Sequence, residues 1–194
     1  MNKITVFCAS SPGYDSIFIQ MAYQLGQQLA GAGIGVVYGG AKVGLMGAVA
    51  DGALSQQGEV IGVLPAFLQT KEIAHEGLTQ LIRVESMHER KMTMHELSDG
   101  VIALPGGFGT LEEYFEMLTW AQLGLHKKPI GLLNVNGFYD GLLTLADTMV
   151  ATGLLKPVNR AMMLVSTTPN DLLEQMRAYN PPTVGKWLTS EKAA

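Results

Sequence analysis

Short apolar runs alternate with longer amphipathic segments along almost the whole chain. Each run is apolar throughout and rich in β-branched residues, which is typical of strands buried on both faces of a parallel sheet. Six strands are predicted in this way, at 4–8, 34–38, 60–64, 101–105, 130–134 and 162–166. Helical periodicity between and after them predicts helices at roughly 14–31, 43–57, 86–98, 109–125, 137–152 and 168–178.

This alternation predicts a single α/β domain. Repeated strand–helix–strand units form a mostly parallel sheet with right-handed crossovers and helices on both faces, a doubly wound, Rossmann-like arrangement. We expect the domain to span residues 1–180 and to be followed by a partly disordered tail at 181–194. Ligands of such folds bind beyond the carboxyl ends of the strands. The turns that follow the strands are therefore where function is expected.

Composition narrows the class of protein further. The 194 residues include 13 Lys and Arg against 17 Asp and Glu, and a net charge of −4 argues against a nucleic-acid partner. A single cysteine, Cys8, excludes a disulfide scaffold and a four-cysteine zinc site, and no histidine spacing indicates a metal. No apolar run reaches the roughly 18 residues that cross a bilayer, and no signal-peptide core is present. We expect a cytoplasmic protein without membrane contact.

Three of the turns after predicted strands have unusual compositions. The turn at 8–16 (CASSPGYDS) is small and polar, while those at 38–47 (YGGAKVGLMG) and 105–113 (PGGFGTLEE) are rich in glycine. Glycine lets a ligand approach the backbone, and the helix start behind it offers N–H groups and a positive dipole to a phosphate. Tight strand–helix turns also use glycine for purely structural reasons. Two such turns in one small domain nevertheless favour a nucleotide or sugar phosphate as the ligand.

The turn at 105–113 fits neither of the common phosphate-binding motifs. A P-loop requires Gly-Lys-Ser/Thr, whereas Thr110 and Leu111 follow Gly109. The dinucleotide fingerprint requires a third glycine, but Glu112 follows Leu111, and acids at this position would repel a pyrophosphate. An acid beside a phosphate-binding turn instead suggests chemistry on the sugar attached to that phosphate.

The second acid of this turn, Glu113, permits two interpretations. Thr110 and Glu113 have the spacing of a capping box, in which the glutamate only satisfies an N–H group at the helix start. Spacing alone favours this structural role. The alternative is that the carboxylate acts on a bound sugar. Glu112, by contrast, is expected to be a solvated acid in the first turn.

Arg90 and Lys91 form an adjacent pair of cations that also permits two interpretations. Ser86 and Glu89 have capping-box spacing, which favours a helix start with the two cations on a solvated face. Alternatively, the arginine grips a phosphate with two hydrogen bonds while the lysine adds a point charge. The spacing leaves both open.

Taken together, these segments resemble a known family. The run MHERK at 87–91, followed by PGGFGTLEE at 105–113, is similar to the LOG ("Lonely guy") family of cytokinin riboside 5′-monophosphate phosphoribohydrolases. That family is marked by PGGxGTxxE and an upstream Arg-Lys pair. Further similar segments extend the resemblance over about residues 4–178; they are VFCASS (6–11), YGGAKVGLMG (38–47), LTWAQLGLHKKPIGLLN (118–134) and GFYDGLL (137–143).

The resemblance implies an activity and a set of site residues. The activity is hydrolysis of the N-glycosidic bond of an adenosine-type 5′-monophosphate, N6-modified or AMP itself, without cofactor or metal. Arg90 and Glu113 take the catalytic positions. The implied substrate-binding residues are Glu72, Lys91, Gly106, Gly107, Phe108, Gly109, Thr110 and Thr119. Members are often labelled lysine decarboxylases, but that reaction needs a pyridoxal-phosphate lysine environment that the sequence does not declare.

Two other functions fit parts of the pattern. A non-catalytic nucleotide-binding module would use the glycine-rich turns but would not need both Arg90 and Glu113. A nicotinamide-dependent oxidoreductase is disfavoured because the third glycine of the fingerprint is missing. Release of free base from a nucleotide would distinguish the enzyme from the module.

The helix that starts near Thr110 predicts self-association. Apolar residues surround most of its circumference, which is typical of a helix buried on more than one side; they are Leu111, Tyr114, Phe115, Met117, Leu118, Trp120, Leu123 and Leu125. One side would pack on the sheet and the other on a second copy. We therefore expect a homodimer.

Overall fold

The computed structural model describes residues 1–68 and 73–182. Its strands form a seven-stranded sheet in the order β4-β3-β2-β1-β5-β6-β7, and each pair of neighbouring strands is parallel. The strands are β1 (Lys3–Phe7), β2 (Gly35–Tyr38), β3 (Val60–Pro65), β4 (Gln80–Val84), β5 (Gly100–Ala103), β6 (Ile130–Leu133) and β7 (Met163–Ser166).

Helices cover both faces of this sheet. They are α1 (Ser16–Gly31), α2 (Gly44–Ser55), α3 (Met87–Leu97), α4 (Phe108–Gln122), α5 (Asp140–Ala151), α6 (Pro157–Arg160) and α7 (Pro169–Ala178). One core is built by α1, α2 and α7, and a second core on the opposite face by α3, α4 and α5. The predicted doubly wound α/β fold is confirmed.

The two cores explain why the strands are apolar throughout. Along β1, Ile4 and Val6 belong to the core under α1 and α2, whereas Phe7 belongs to the core under α3 and α4. Successive side chains of a strand point to opposite faces, so a central strand between two helical layers needs apolar residues at every position. The six predicted strands each overlap an observed one.

The pattern missed β4 and the short helix α6. Strand β4 lies at the edge of the sheet, where Gln80 and Arg83 are exposed and only Val84 is buried. An edge strand with polar positions has no continuous apolar run, so the criterion that found the central strands passes over it. The predicted tail at 181–194 lies, from residue 183 onward, outside the described residues.

The order of the strands reverses between β1 and β5. The chain builds outward from β1 through β2, β3 and β4, and then returns to add β5 on the other side of β1. At such a switch point the loops after the two strands diverge and leave a crevice for ligands. The two loops also touch, because the Ala9 N–H donates to the Pro105 carbonyl oxygen at 3.3 Å. Within the described residues, no helix has the length and apolar character needed to cross a membrane.

Candidate active site

A cavity of about 600 Å³ opens at this switch point. Its walls come from the loop after β1, the glycine turn after β2, the 3₁₀ turn Ala66–Leu68 after β3, one face of α3 and the start of α4. The volume is sufficient for a nucleotide, since small-molecule sites commonly measure roughly 300–1,000 Å³. The cavity therefore lies where the sequence predicted a ligand site.

The start of α4 supplies one end of the cavity. Gly107 is the N-cap residue and has no side chain with which to cap the helix, and the N–H groups of a first helical turn have no partner within the helix, so they can bind a ligand. Gly107, Gly109 and Thr110 all line the cavity. A Cβ at Gly106 would overlap the side chain of Thr110, so the turn is this tight only because glycine stands there. Free amides at a helix start form a site for an anion such as phosphate.

Glu113 lies on the cavity wall, one turn beyond Thr110. Because α4 begins at Phe108 with Gly107 as its N-cap, Thr110 is already the third helical residue. Thr110 and Glu113 therefore cannot form the capping box that their spacing suggested, and that structural interpretation of Glu113 is wrong. Residues three apart share one helix face, which brings both side chains to the same cavity.

Arg90 is held inside the cavity wall by backbone carbonyls. Its Nε donates to the Val63 carbonyl oxygen and its Nη2 to the Gly39 carbonyl oxygen, both at 3.1 Å. The residue is only 6% exposed, so the expectation of a solvated helix face is wrong for Arg90. Ser86 does cap α3 by accepting from the Glu89 N–H, but Glu89 accepts from the Glu85 N–H rather than closing a capping box.

The charges of Arg90 and Glu113 meet at the Cys8 thiol on the cavity wall. Burial raises the pKa of Cys8, the negative charge of Glu113 raises it further and the positive charge of Arg90 lowers it. The thiol therefore stays protonated at neutral pH and is no nucleophile. Cys8, Arg90 and Glu113 all line this cavity, so a cation and a carboxylate share the site at the switch point.

The loop after β1 completes this side of the cavity. The N–H groups of Leu45 and Met46, at the start of α2, donate to the Ala9 carbonyl oxygen at 3.1 and 3.3 Å. This contact requires Gly44, since a Cβ there would overlap the backbone of Ser10. Ser10 and Ser11 consequently line the cavity. Their turn was singled out in the sequence, but neither serine was predicted as a site residue.

Lys91 points away from this cavity. Its Nζ lies 2.6 Å from Glu112 Oε1 and 3.0 Å from Glu116 Oε2, both on α4. Partial burial lowers the pKa of Lys91, but hydrogen bonds to these two carboxylates outweigh burial and raise it above its usual value. Lys91 is not among the described residues that line the cavity. Glu112 is thus paired rather than simply solvated, and the contact of Lys91 with substrate stays a prediction.

Thr119 and Phe108, two further predicted substrate-binding residues, are not among the described residues that line this cavity. Thr119 donates to the Phe115 carbonyl oxygen at 2.7 Å and lines a separate apolar cavity of about 210 Å³ between α4 and α5. Phe108 is exposed at the start of α4. Glu72 lies outside the described residues. Within residues 1–68 and 73–182, no three His, Cys, Asp or Glu side chains converge as a metal site would require.

Sequence reasoning missed the apolar part of the cavity. Phe67 and Leu68 after β3, together with Met46, Met87 and Met94, line it alongside the charged residues. Apolar residues in a helix or after a strand are expected in the core, so nothing in the pattern distinguished them. Gly39 was also missed as a site residue, although its glycine-rich turn was noticed.

The fold and the cavity define a doubly wound α/β protein with a ligand site at the switch point of its sheet. The sequence model of a family described as "Possible lysine decarboxylase" matches residues 46–176. The probable cytokinin riboside 5′-monophosphate phosphoribohydrolase LOGL5 of Oryza sativa subsp. japonica is 47% identical over 180 residues, which cover 93% of this chain and 73% of the relative. The cytokinin riboside 5′-monophosphate phosphoribohydrolase LOG5 of Arabidopsis thaliana is 43% identical over 183 residues, which cover 94% of this chain and 80% of that relative.

The chain belongs to this family of cytokinin riboside 5′-monophosphate phosphoribohydrolases, and the resemblance inferred from the motifs is confirmed. A solved structure supports the fold. The molybdenum cofactor binding protein from Rippkaea orientalis superimposes with a TM-score of 0.68 at 25% identity, over 91% of this chain and 96% of that one.

The contact between Arg90 and Gly39 yields a testable prediction. A Cβ at Gly39 would overlap Arg90 Nη2 and lie 2.8 Å from Met46 Sδ. We expect Gly39→Ala to displace the guanidinium and to lower kcat/KM for a nucleoside 5′-monophosphate by about 10²-fold, because small misplacements of catalytic groups are that costly. Gly31→Ala, at an α1 position with open space around it, is the control. Parent-like kinetics of Gly39→Ala would show that the position of Arg90 is unimportant.

Proposed function

We propose that this protein hydrolyses the N-glycosidic bond of adenosine 5′-monophosphates, N6-modified ones such as cytokinin riboside 5′-monophosphates or AMP itself. The products are the free base and ribose 5-phosphate. One observation carries the proposal: a helix start suited to phosphate, the Glu113 carboxylate and the buried Arg90 cation share a single cavity. The names of the relatives supply the class of substrate.

The chemistry explains why a carboxylate is needed. Breaking the bond between C1′ and the base leaves positive charge on the ribose, and water then adds at C1′ while the base leaves with a proton. Glu113 can stabilise that charge, hold the ribose hydroxyls or orient the water. In each of these roles its negative charge lies beside the ribose, where it stabilises the positive charge that develops in the transition state.

Arg90 supplies the complementary charge. A guanidinium remains protonated even when it is buried, and two carbonyl oxygens fix its orientation. The departing base becomes electron-rich as its bond to C1′ breaks. A fixed cation next to it stabilises that negative charge without having to reorganise during the reaction.

The 5′-phosphate of the substrate contributes to catalysis although it lies away from the bond that breaks. The amides at the start of α4 bind a group that does not react, and this binding energy can be used to orient or distort the ribose. A nucleoside without the phosphate should therefore be a much poorer substrate in kcat as well as in KM.

Lysine decarboxylation, the activity in the family description, does not fit the described residues. A pyridoxal-phosphate enzyme holds its cofactor on a lysine, and no lysine is found among the described residues that line the cavity. The nearby Lys91 is engaged by Glu112 and Glu116, which raise its pKa and so oppose its action as a nucleophile.

The role of Glu113 can be tested with an isosteric variant. If its charge acts on the ribose, Glu113→Gln should lower kcat for release of free base by about 10²-fold or more, with an unchanged melting temperature. Chromatography of the base released from N6-isopentenyladenosine 5′-monophosphate, from AMP and from the matching nucleosides measures this. The parent should strongly prefer the nucleotides.

Glu112→Gln is the matched control, since Glu112 is adjacent, exposed and paired with Lys91 outside the cavity. It should retain most of the activity. An active Glu113→Gln enzyme, or a parent that cleaves nucleosides as well as nucleotides, would contradict the mechanism. Nucleotide binding by the parent without release of base would instead support the non-catalytic module.

We further propose that the protein is a homodimer. Large apolar side chains remain exposed on α4, α5, α6 and the loops beside them, as expected of a surface that a second copy covers; they are Phe115, Leu123, Leu125, Leu145, Leu154 and Val158. Thr119 lies on this surface, on a different side of α4 from Glu113. Thr119 does not line the active-site cavity of its own chain. In a dimer it would be able to reach substrate bound in the active-site cavity of the second copy.

Light scattering tests this proposal. The parent should have twice the chain mass of 20.8 kDa at micromolar concentration, and Leu145→Asp should shift it towards the monomer because it buries a charge in the interface. Ile19→Asp, at an exposed apolar position of α1 on the opposite layer, should leave the mass unchanged. A parent protein with the mass of a monomer would contradict the proposal. The cytoplasmic location expected from the sequence stays a prediction.

A further inference from the structure

The turn between β5 and α4 borders two different cavities. Gly107 and Gly109 line the active-site cavity. Pro105 and Gly106 instead line a separate apolar cavity of about 180 Å³, whose walls also include Phe138, two residues before α5. Atoms that line a void lose the packing contacts that would otherwise hold them. Packing alone therefore does not fix the position of this turn.

A side-chain hydrogen bond holds the chain directly before the turn. The Leu104 carbonyl oxygen accepts from the hydroxyl of Tyr139, and the two oxygen atoms are 2.6 Å apart. Both residues are buried, with Tyr139 only 2% exposed. The pairing of β5 with β6 ends at Ala103, so Leu104 is the first residue beyond the sheet on that side. The hydroxyl thus acts where the sheet ends and the turn begins.

Tyr139 is itself held from the end of β6. Asn134, the first residue after that strand, accepts from the Tyr139 N–H through Oδ1 and donates to Asp140 Oδ1 through Nδ2, both at 2.7 Å. A side chain whose backbone is already fixed loses less conformational freedom when its hydroxyl makes a hydrogen bond. The connection after β6 therefore supports the turn after the neighbouring strand β5.

We propose that Tyr139 is a positioning residue for the phosphate: its hydroxyl holds the Leu104 carbonyl and thereby fixes the turn whose amides bind the 5′-phosphate. This inference rests on the proposed function and gives a role to the segment GFYDGLL at 137–143. Tyr139 is not among the described residues that line the active-site cavity, so it acts through the turn. Donors that bind a ligand together must be held in place by the residues behind them.

The protonation state of Tyr139 suits this role. Burial raises the pKa of its hydroxyl, and the negative charge that Cys8 would carry as a thiolate raises it further. The hydroxyl therefore remains a hydrogen-bond donor throughout the neutral pH range.

The test removes a single oxygen atom. Tyr139→Phe should lower kcat/KM for AMP and for N6-isopentenyladenosine 5′-monophosphate about tenfold, the scale of one lost buried hydrogen bond. The values for the matching nucleosides should not change, because nucleosides lack the phosphate that the turn binds. The readout is the ratio of kcat/KM for each nucleotide to that for its nucleoside.

Tyr114→Phe is the matched control. Tyr114 is a fully buried tyrosine of α4 whose hydroxyl has no hydrogen-bond partner among the described residues, so this variant should keep the parental ratio. If the Tyr139 hydroxyl served stability alone, Tyr139→Phe would lower the nucleotide and nucleoside values in equal proportion. That result, or a parental ratio in Tyr139→Phe, would overturn the proposal.

A binding measurement separates this inference from the proposed function. Calorimetric titration with ribose 5-phosphate needs no turnover, and Tyr139→Phe should weaken its binding about tenfold while Tyr114→Phe does not. A parent that cleaves no nucleotide but shows this difference in affinity would refute the proposed function and support the role of Tyr139. Equal affinities of the parent and Tyr139→Phe would overturn that role even in an active enzyme. A parent that does not bind ribose 5-phosphate would overturn both.

A second variant tests the same contact if Tyr139→Phe does not fold. Asn134→Ala keeps the hydroxyl but removes both hydrogen bonds that fix the backbone of Tyr139 and the start of α5. It should show the same selective loss for nucleotides and the same weaker binding of ribose 5-phosphate. A parental ratio and a parental affinity in Asn134→Ala would contradict the proposal.

Discussion

The site depends on one interaction, the burial of the Arg90 guanidinium against the carbonyl oxygens of Gly39 and Val63. A buried cation is costly unless it is paired and hydrogen-bonded, and here the carbonyl oxygen of Gly39, just after β2, and that of Val63, within the neighbouring strand β3, accept hydrogen bonds from it. The contact ties α3 to the sheet and orients a charge at the switch point. It also explains why Gly39 has no side chain, because any Cβ would occupy the space of the guanidinium.

The remaining parts of the site follow from the doubly wound fold. Parallel strands bring all the carboxyl-terminal turns to one edge, and the reversal of order between β1 and β5 opens a crevice there. Helix α4 begins at that crevice and presents its free amides, then Thr110 and Glu113 on the same face. Under the proposed function, the start of α4 would meet the phosphate, Glu113 the sugar and Arg90 the departing base, all within this one cavity.

Much of this could be predicted from the sequence, for a physical reason. Central strands are buried on both faces and so are apolar throughout, which revealed six strands, whereas β4, exposed at the edge, has no such signal. The glycine turns and the Arg90–Glu113 pair were also visible. What spacing could not settle was the direction of side chains. It suggested a cap for Glu113 and a solvent-facing position for Arg90, whereas α4 begins two residues before Thr110 and α3 turns Arg90 inward. Phe67 and Met87 were indistinguishable from core residues.

The central claim is that the start of α4 holds the phosphate while Glu113 faces the sugar carbon that reacts. A crystal structure of the protein with ribose 5-phosphate, the expected product, tests this most directly. The account predicts phosphate oxygens at about 3 Å from the amides of the Gly107–Thr110 turn, with C1 of the sugar facing Glu113. A phosphate held instead by Lys91, or a sugar bound with C1 turned away from Glu113, would contradict it.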